Sequence, residues 1–383
     1  MAQLAVLLTE RGFKVTGSDK EFYEPMASLL SKAKVHTYQG YSANNISSQL
    51  DLVIIGNAVS YGHVEVAEVE RLQIPYSIFP RILAEMIIAD KHSLVVCGTH
   101  GKTTTSGMAA FVLRELGADP SYFVGGVCRE LERSMAEGSG SCSVVEGDEY
   151  DSSFFAKVPK FKFYRPDSLI ITSLEYDHAD IYPDIESIEA VFAELVSRMD
   201  SESRCAVCID DANIAKLIPS WRRNSKGGFL TYGSSSAADY ILEHTAIEGG
   251  MQKVRYTSKM YGGAEFEIPL IGGYNAKNAL AVLAVLTGLG FERNKVFAAL
   301  KRYTGVKRRQ ELRFNGEVTV IEDFAHHPSA VRETIAAVKQ AYPGRRLWSV
   351  FEPRSNTSRL KIFEREYLQA FDGAELIILC QVD

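Results

Sequence analysis

The residues of this chain best suited to chemistry lie in the segment Gly98–Thr104, which follows the apolar run Leu94–Cys97. The segment ends its turn in Gly-Lys-Thr at 101–103, and apolar residues at helical spacing come next. Glycines let backbone N–H groups approach phosphates, a lysine reaches the outer phosphates, and a hydroxyl can bind Mg²⁺. Gly-Lys-Thr also occurs by chance, and Val96 stands where the commoner motif has its first glycine. The flanking strand and helix patterns nevertheless predict a nucleoside triphosphate site.

Two acidic segments, Glu146–Asp151 and Leu174–Asp180, each follow a predicted strand. A carboxylate at the end of a buried strand is typical of Mg²⁺ ligation in phosphate-loop enzymes, which makes Glu146 a candidate metal ligand. A solvated acidic loop is the alternative. Because ligands bind outside the carboxyl ends of parallel strands, His178 is a candidate for a second metal or phosphate contact. A structural histidine is the alternative there.

Two asparagines, Asn275 and Asn278, fall on one face at the start of a predicted helix. Each amide offers a donor and an acceptor, so the pair is suited to reading the edge of a nucleobase. Capping of the helix by Asn275 is the alternative.

Histidines and arginines also follow two later strands. The pair His326-His327 suggests a metal, but no third ligand stands at metal-binding spacing, and contact with a substrate is favoured. Arg354 and Arg359 are suited to binding carboxylates.

The elements that must position these residues alternate between strands and helices, which predicts an α/β fold with parallel sheets. With 383 residues the chain is too long for one compact core. We divide it into a first unit (1–90), a central unit (91–305) and a third unit (306–383). The first unit opens on a helix and the third ends just after a predicted strand, Leu376–Leu379. We therefore expect the first strand of the first unit and the end of the third unit to be missing.

Composition narrows the class of protein. The chain is 46% apolar and 23% charged, as in globular proteins, and its net charge of −6 argues against broad nucleic-acid binding. No apolar run is long enough to span a membrane, and no signal peptide is present, so we expect a cytoplasmic protein without membrane partners. The motif Cys205-x-x-Cys208 lies in a predicted strand that puts the thiols on opposite faces, which favours structural cysteines.

Taken together and in order, the motifs GTHGKTTT, EGDEYD, LEYDHAD, YNAKN and DFAHHP resemble the Mur ligase family, ATP-dependent amide-bond formers of cell-wall synthesis. The resemblance covers essentially the whole chain. It implies a three-domain α/β fold with a Rossmann-like N-terminal domain for a UDP-sugar, a phosphate-loop central ATPase domain and an incomplete Rossmann-like C-terminal domain for the acceptor. Three segments, at 144–168, 320–330 and 351–359, are most similar to one branch of the family. That branch joins UDP-N-acetylmuramate to the murein tripeptide L-alanyl-γ-D-glutamyl-meso-diaminopimelate.

The resemblance also implies roles for individual residues. Lys102, Glu146 and His178 would be catalytic. Thr103 and Glu146 would hold one Mg²⁺, and His178 would join Glu146 at a second. The ATP-binding set would be Gly98, Thr99, His100, Gly101, Lys102, Thr103 and Thr104 around the phosphates, Asn275 and Asn278 at adenine, Arg309 near the phosphates and Asp323 at the ribose. The substrate-binding set would be Asp19, His327, Arg354 and Arg359.

Rival functions remain at this point. The ligase that adds L-alanine to UDP-N-acetylmuramate shares every ATP motif and differs in its acceptor. A non-catalytic ATP-binding module would bind ATP without producing ADP. A hydride-transferring dehydrogenase is disfavoured, because the first unit lacks the glycine fingerprint and Lys102 would have no role there.

Overall fold

The computed structural model describes residues 1–179, 181–354, 357–359 and 361–381. Parts of the acidic segment and of the later arginine segment, at Asp180, Ser355 and Asn356, lie outside the described residues. The elements of the first unit are α1 (Ala2–Glu10), β1 (Thr16–Asp19), α2 (Met26–Lys32), β2 (His36–Gln39), β3 (Val53–Ile55), α3 (Val64–Arg71), β4 (Tyr76–Ile78) and α4 (Phe79–Leu83), with a π-helical turn at Ala84–Ile88.

The central unit holds most of the strands. Its elements are β5 (His92–Cys97), α5 (Lys102–Glu115), β6 (Ser121–Phe123), β7 (Met135–Ala136), β8 (Cys142–Gly147), β9 (Asp151–Ser153), β10 (Ala156–Pro159), β11 (Ser168–Ile171), α6 (Ile185–Ser197), β12 (Arg204–Cys208), α7 (Ala212–Asn224), β13 (Gly228–Gly233), β14 (Tyr240–Glu248), β15 (Met251–Ser258), β16 (Gly262–Ile268), α8 (Gly273–Gly288) and α9 (Arg293–Leu300).

The third unit is smaller. Its elements are β17 (Glu311–Asn315), β18 (Thr319–Glu322), α10 (Pro328–Ala341), β19 (Trp348–Phe351), α11 (Glu364–Ala370) and β20 (Leu376–Leu379). Strands β17 and β18 form an antiparallel hairpin, and β19 pairs with β20 in parallel. Helix α10 begins with a proline at its first position, where a missing N–H costs nothing, and His327 is its N-cap.

A ten-stranded sheet forms the core of the central unit, in the order β16-β15-β14-β13-β12-β11-β5-β8-β6-β7. The strands from β14 to β6 in that order run parallel, and the pairs β14–β15, β15–β16 and β6–β7 are antiparallel. The central strands are continuous apolar runs because helices cover both of their faces. Helix α8 is apolar on all sides and buried along most of its length. The predicted α/β fold is confirmed.

The register of the central strands positions the site. Cys97, the last residue of β5, pairs with Gly147 of β8 on one side and with Ile171 of β11 on the other. The loops that follow these three strands therefore leave the sheet at the same edge. The phosphate-loop segment and both acidic segments meet there.

Smaller features complete the fold. The strands of the first unit form two separate parallel pairs, β1–β2 and β3–β4, within the described residues, where the alternating pattern predicted one sheet. Cys205 and Cys208 are buried in β12 and unpaired, as expected of structural cysteines. In the described part of the chain, no helix has both the length and the apolar character that crossing a membrane requires.

Candidate active site

The segment between β5 and α5 has the shape of a phosphate-binding loop. Gly98 and Gly101 both have positive φ angles, 130° and 83°. A Cβ atom on Gly98 would lie 2.3 Å from Thr172 Oγ1, so only glycine fits. The loop runs directly into the N-terminus of α5, where unpaired N–H groups and the helix dipole favour an anion.

Lys102, the first residue of α5, is held at the mouth of this loop. Its Nζ donates to Gly98 O at 2.7 Å and to Glu149 Oε2 at 2.8 Å. Burial alone would lower the pKa of Lys102, but the carboxylates of Glu149 and Asp148 outweigh burial and raise it. The lysine is therefore a stable cation at the place where phosphates would bind.

Beside the lysine, a hydroxyl and a buried carboxylate face each other. Thr103 Oγ1 donates to Glu146 Oε1 at 2.8 Å, and Gly125 N donates to Glu146 Oε2 at 2.7 Å. Burial, with a smaller contribution from Asp148, raises the pKa of Glu146. A cation is the natural partner for a carboxylate in such surroundings, and hydroxyl and carboxylate oxygens are the hard ligands that Mg²⁺ prefers. These residues fit a magnesium ion.

His178 lies close to a different glutamate from the one expected. Its Nε2 is 3.6 Å from Glu149 Oε1, and its backbone has a φ of 54°, rare for a residue with a side chain. Glu149 is 2% exposed and contacts both Lys102 and His178. Sequence reasoning did not single out Glu149, although it belongs to the quoted motif EGDEYD. The joint binding of a second metal by His178 and Glu146 stays a prediction.

His100 and His327 come from different units and meet at Glu175, which follows β11. His100 Nε2 lies 3.4 Å and His327 Nδ1 lies 3.1 Å from Glu175 Oε2. Burial alone would raise the pKa of Glu175, but hydrogen bonds with the two histidines outweigh burial and lower it. This carboxylate joins the phosphate loop to the start of α10.

The two asparagines lie at the start of α8, next to the phosphate loop. The N-cap of α8 is Gly272, so Asn275 does not cap the helix. Asn275 Nδ2 donates to Ile271 O at 2.8 Å and to Gln310 Oε1 at 3.1 Å, while its Oδ1 has no partner among the described residues. The amide of Asn278 lies against Gly101. Both asparagines are buried and line a cavity between the central and third units. The unpaired amide oxygen of Asn275 suits a base with an N–H donor.

Asp323 and Arg309 of the third unit lie close to the start of α8, since Gln310 contacts both Asn275 and Asp323. Asp323 Oδ2 accepts from Gln310 N at 2.8 Å and Oδ1 accepts from Ala325 N at 2.7 Å. Burial raises the pKa of Asp323. The guanidinium of Arg309 lies 5.0 Å from the centre of the Phe324 ring, a cation–π contact that orients it.

These groups surround one cavity of about 1140 Å³ between the central and third units. Most of the predicted site residues line it, namely Thr99, His100, Gly101, Lys102, Thr103, Thr104, Glu146, His178, Asn275, Asn278, Arg309, Asp323 and Arg354. Its size and mixed polar lining suit a nucleotide together with part of a second substrate.

Four predicted residues fall outside the cavity lining that the structure describes. Gly98 begins the loop and packs against Thr172 and Ser173, and His327 is buried with its ring 4.9 Å from that of His100. Arg359 Nε donates to Pro353 O at 3.3 Å. Asp19 is exposed at the end of β1, where Tyr41 Oη donates to it at 3.1 Å. Asp19 does not line this cavity with the other predicted site residues.

Family comparisons match all three parts of the chain. Residues 1–91 match the model described as "Mur ligase family, catalytic domain", residues 96–286 the "Mur ligase middle domain" and residues 307–383 the "Mur ligase, glutamate ligase domain".

Individual relatives agree with these matches. The chain is 36% identical over 386 residues to the UDP-N-acetylmuramate–L-alanyl-γ-D-glutamyl-meso-2,6-diaminoheptandioate ligase of Escherichia coli (strain K12), covering 100% of this chain and 82% of that protein. It is 31% identical to the UDP-N-acetylmuramate–L-alanine ligase of Myxococcus xanthus (strain DK1622), over 100% of this chain and 78% of the relative. The crystal structure of the UDP-N-acetylmuramate–alanine ligase of Thermotoga maritima superposes with a TM-score of 0.82 at 26% identity, covering 100% of this chain and 83% of that one. The chain belongs to the Mur ligase family, whose members are ligases.

Proposed function

We propose that this protein is an ATP-dependent amide ligase that joins UDP-N-acetylmuramate to the tripeptide L-Ala-γ-D-Glu-meso-diaminopimelate in peptidoglycan recycling. One observation carries the ligase chemistry. Lys102, Thr103 and Glu146 line the same cavity as Arg309 and Arg354 of the third unit. A triphosphate on the loop would therefore lie near a surface able to hold the carboxylates of an acceptor.

In this proposal the chain's own residues position ATP and neutralise its charge. Lys102 and the N–H groups at the start of α5 hold the phosphates, while the amides of Asn275 and Asn278 face the base. Mg²⁺, bound by the oxygens of Thr103 and Glu146, would offset the negative charge of the phosphates during transfer. Asp323 would accept a hydrogen bond from the ribose.

The reaction we propose runs in two steps. A carboxylate oxygen of UDP-N-acetylmuramate attacks the γ-phosphorus of ATP, the bond to the β-phosphate oxygen breaks, and ADP leaves. The acceptor's amine attacks the carbonyl carbon of the resulting acyl phosphate, the amine loses a proton, and inorganic phosphate leaves as the amide forms. No protein nucleophile is required, so the chain contributes positioning and electrostatic stabilisation.

The choice of acceptor is the finer part of the proposal. The higher identity, 36% against 31%, is to a relative whose name contains the tripeptide. Arg354 supports a peptide acceptor because its exposed guanidinium is on the cavity lining and is available to a peptide carboxylate. The TM-score of 0.82 to an L-alanine ligase favours the second candidate, UDP-N-acetylmuramate–L-alanine ligase.

Release of ADP tests both parts of the proposal. The protein is incubated with Mg²⁺, ATP and UDP-N-acetylmuramate, and ADP is measured with tripeptide, with L-alanine and without an acceptor. We expect stimulation by the tripeptide alone. Stimulation by L-alanine alone would instead assign the second candidate. ATP binding without ADP release under all three conditions would indicate a binding module and overturn the ligase proposal.

A further inference from the structure

Three potential metal ligands meet where the third unit packs against the phosphate loop. His100 Nε2 and His327 Nδ1 approach the same oxygen, Glu175 Oε2, at 3.4 and 3.1 Å, and the two imidazole rings are 4.9 Å apart. One ligand atom from each residue lies within 4.8 Å of the other two. The missing ligands could not be found from local spacing, because the members of this cluster are 75 or more positions apart along the chain.

The surroundings of His327 direct its Nδ1 at Glu175. Nε2 lies 3.3 Å from Tyr176 O, which only accepts, so Nε2 carries a hydrogen. Nδ1 lies 3.1 Å from Glu175 Oε2 and 3.4 Å from Ser329 N, in a residue that is 5% exposed. A divalent cation between Nδ1 and Glu175 Oε2 would replace the hydrogen bond that these two atoms otherwise make.

We propose that His100, Glu175 and His327 form a binding site for a borderline divalent ion such as Zn²⁺. Two imidazole nitrogens and one carboxylate are a known zinc ligand set. Tetrahedral ligands about 2.0–2.1 Å from a zinc ion lie roughly 3.3–3.4 Å from one another, and the distances to Glu175 Oε2 are close to this separation. The site differs from the oxygen ligands of Thr103 and Glu146, because Mg²⁺ binds oxygen and rarely imidazole.

The ligands come from two units, so metal binding is coupled to the docking of these units. His100 and Glu175 belong to the central unit, and His327 caps α10 of the third unit. The complete site exists only while the two units are docked, so a bound ion stabilises the docked arrangement. This inference does not depend on which acceptor the ligase uses.

Metal titration of the full chain, first stripped with a chelator, tests the proposal. Isothermal titration with Zn²⁺ and the visible absorption of Co²⁺ report binding without any need for turnover. We expect one tight site per chain that a large excess of Mg²⁺ does not displace. Loss of one ligand should weaken binding by at least roughly tenfold, since even an outer partner of a metal ligand is worth about that much.

Variants distinguish this site from adventitious binding. Glu175→Gln and His327→Asn should both lose the tight site, and asparagine at 327 keeps a capping acceptor for α10. His326→Asn is the matched control, since that histidine lies next in sequence but faces Asp177 at 3.9 Å, and it should keep the site. Zn²⁺ should raise the Tm of the wild type and not that of Glu175→Gln. Equal Zn²⁺ affinity in all variants, displacement by Mg²⁺ or absence of a tight site would overturn the proposal.

Discussion

Lys102 Nζ lies 2.8 Å from Glu149 Oε2, and the other oxygen of the same carboxylate lies 3.6 Å from His178 Nε2. Glu149 is almost fully buried. Because one carboxylate contacts both side chains, it fixes the position of the phosphate-loop lysine relative to the histidine of the second acidic segment. The residue that organises this corner of the site is therefore Glu149, three positions after the predicted metal ligand Glu146.

Removal of the Lys102 ammonium should nearly abolish ligation. Lys102→Met should lower the rate of ADP release by at least about a hundredfold, because one preorganised charge-stabilising donor is typically worth that much. Lys226→Met changes an exposed lysine outside the cavity lining and should keep the wild-type rate. A Lys102→Met protein with a near-normal rate would contradict the assigned role.

Glu149→Gln should change the pH dependence of the reaction. Glu149, together with Asp148, raises the pKa of Lys102 against the effect of burial, so removal of the Glu149 charge lets that pKa fall. Lys102 then loses its proton at lower pH, and the alkaline limb of the rate-versus-pH profile should move to lower pH. The exposed Glu132 supplies the control Glu132→Gln, which should leave the limb in place. An unchanged limb in Glu149→Gln would show that this contact does not control Lys102.

The place of the site could be predicted from the sequence, and the reason is the register of three strands. Buried apolar runs end before Gly98, before Glu146 and before the segment with His178, and parallel strands place such ends at one edge. In the structure β8, β5 and β11 are neighbours and end level, so Lys102, Glu146 and His178 line one cavity.

The pairing of side chains within the site could not be predicted in the same way. Glu146 and Glu149 stand three residues apart in one acidic motif, and only the path of the chain after β8 decides which of them meets His178. The approach of His327 to Glu175 depends on how the third unit packs on the central one, which local spacing does not contain. The antiparallel strands β14 to β16 were also missed, although β15 alternates between buried and less buried residues.

The hydroxyl of Thr103 should set the Mg²⁺ requirement. Thr103→Val removes the hydroxyl that donates to Glu146, so the Mg²⁺ concentration for half-maximal ADP release should rise. Thr105→Val is a matched control on the same helix, since Thr105 Oγ1 is buried and lacks a hydrogen-bond partner among the described residues. That change should leave the Mg²⁺ dependence unaltered. An equal response from both variants would show that the Thr103 hydroxyl has no special role.

Arg354 should act on the acceptor rather than on ATP. Its guanidinium is on the cavity lining and pairs with Glu352 at 3.1 Å, an exposed contact that contributes little to stability. Arg354→Ala should therefore raise the KM of the tripeptide several-fold and leave the KM of ATP and the Tm nearly unchanged. Arg346→Ala, an exposed arginine outside the cavity lining, is the control for loss of charge. A selective loss of ATP affinity would place Arg354 on the nucleotide instead.

A side chain at Gly98 should displace the phosphate loop, and a substitution at Gly117 provides the comparison. A Cβ at Gly98 would lie 2.3 Å from Thr172 Oγ1 and 2.9 Å from Ser173 N, whereas no described atom lies within 4 Å of the corresponding position at Gly117. Both glycines have positive φ, so Gly117→Ala should cost only the backbone strain of about 1–2 kcal/mol. Gly98→Ala adds a clash that displaces the loop, and it should lower both the Tm and the ATP affinity more. Calorimetric measurement of both quantities separates the two effects, and equal losses in the two variants would contradict the tight contact beneath the loop.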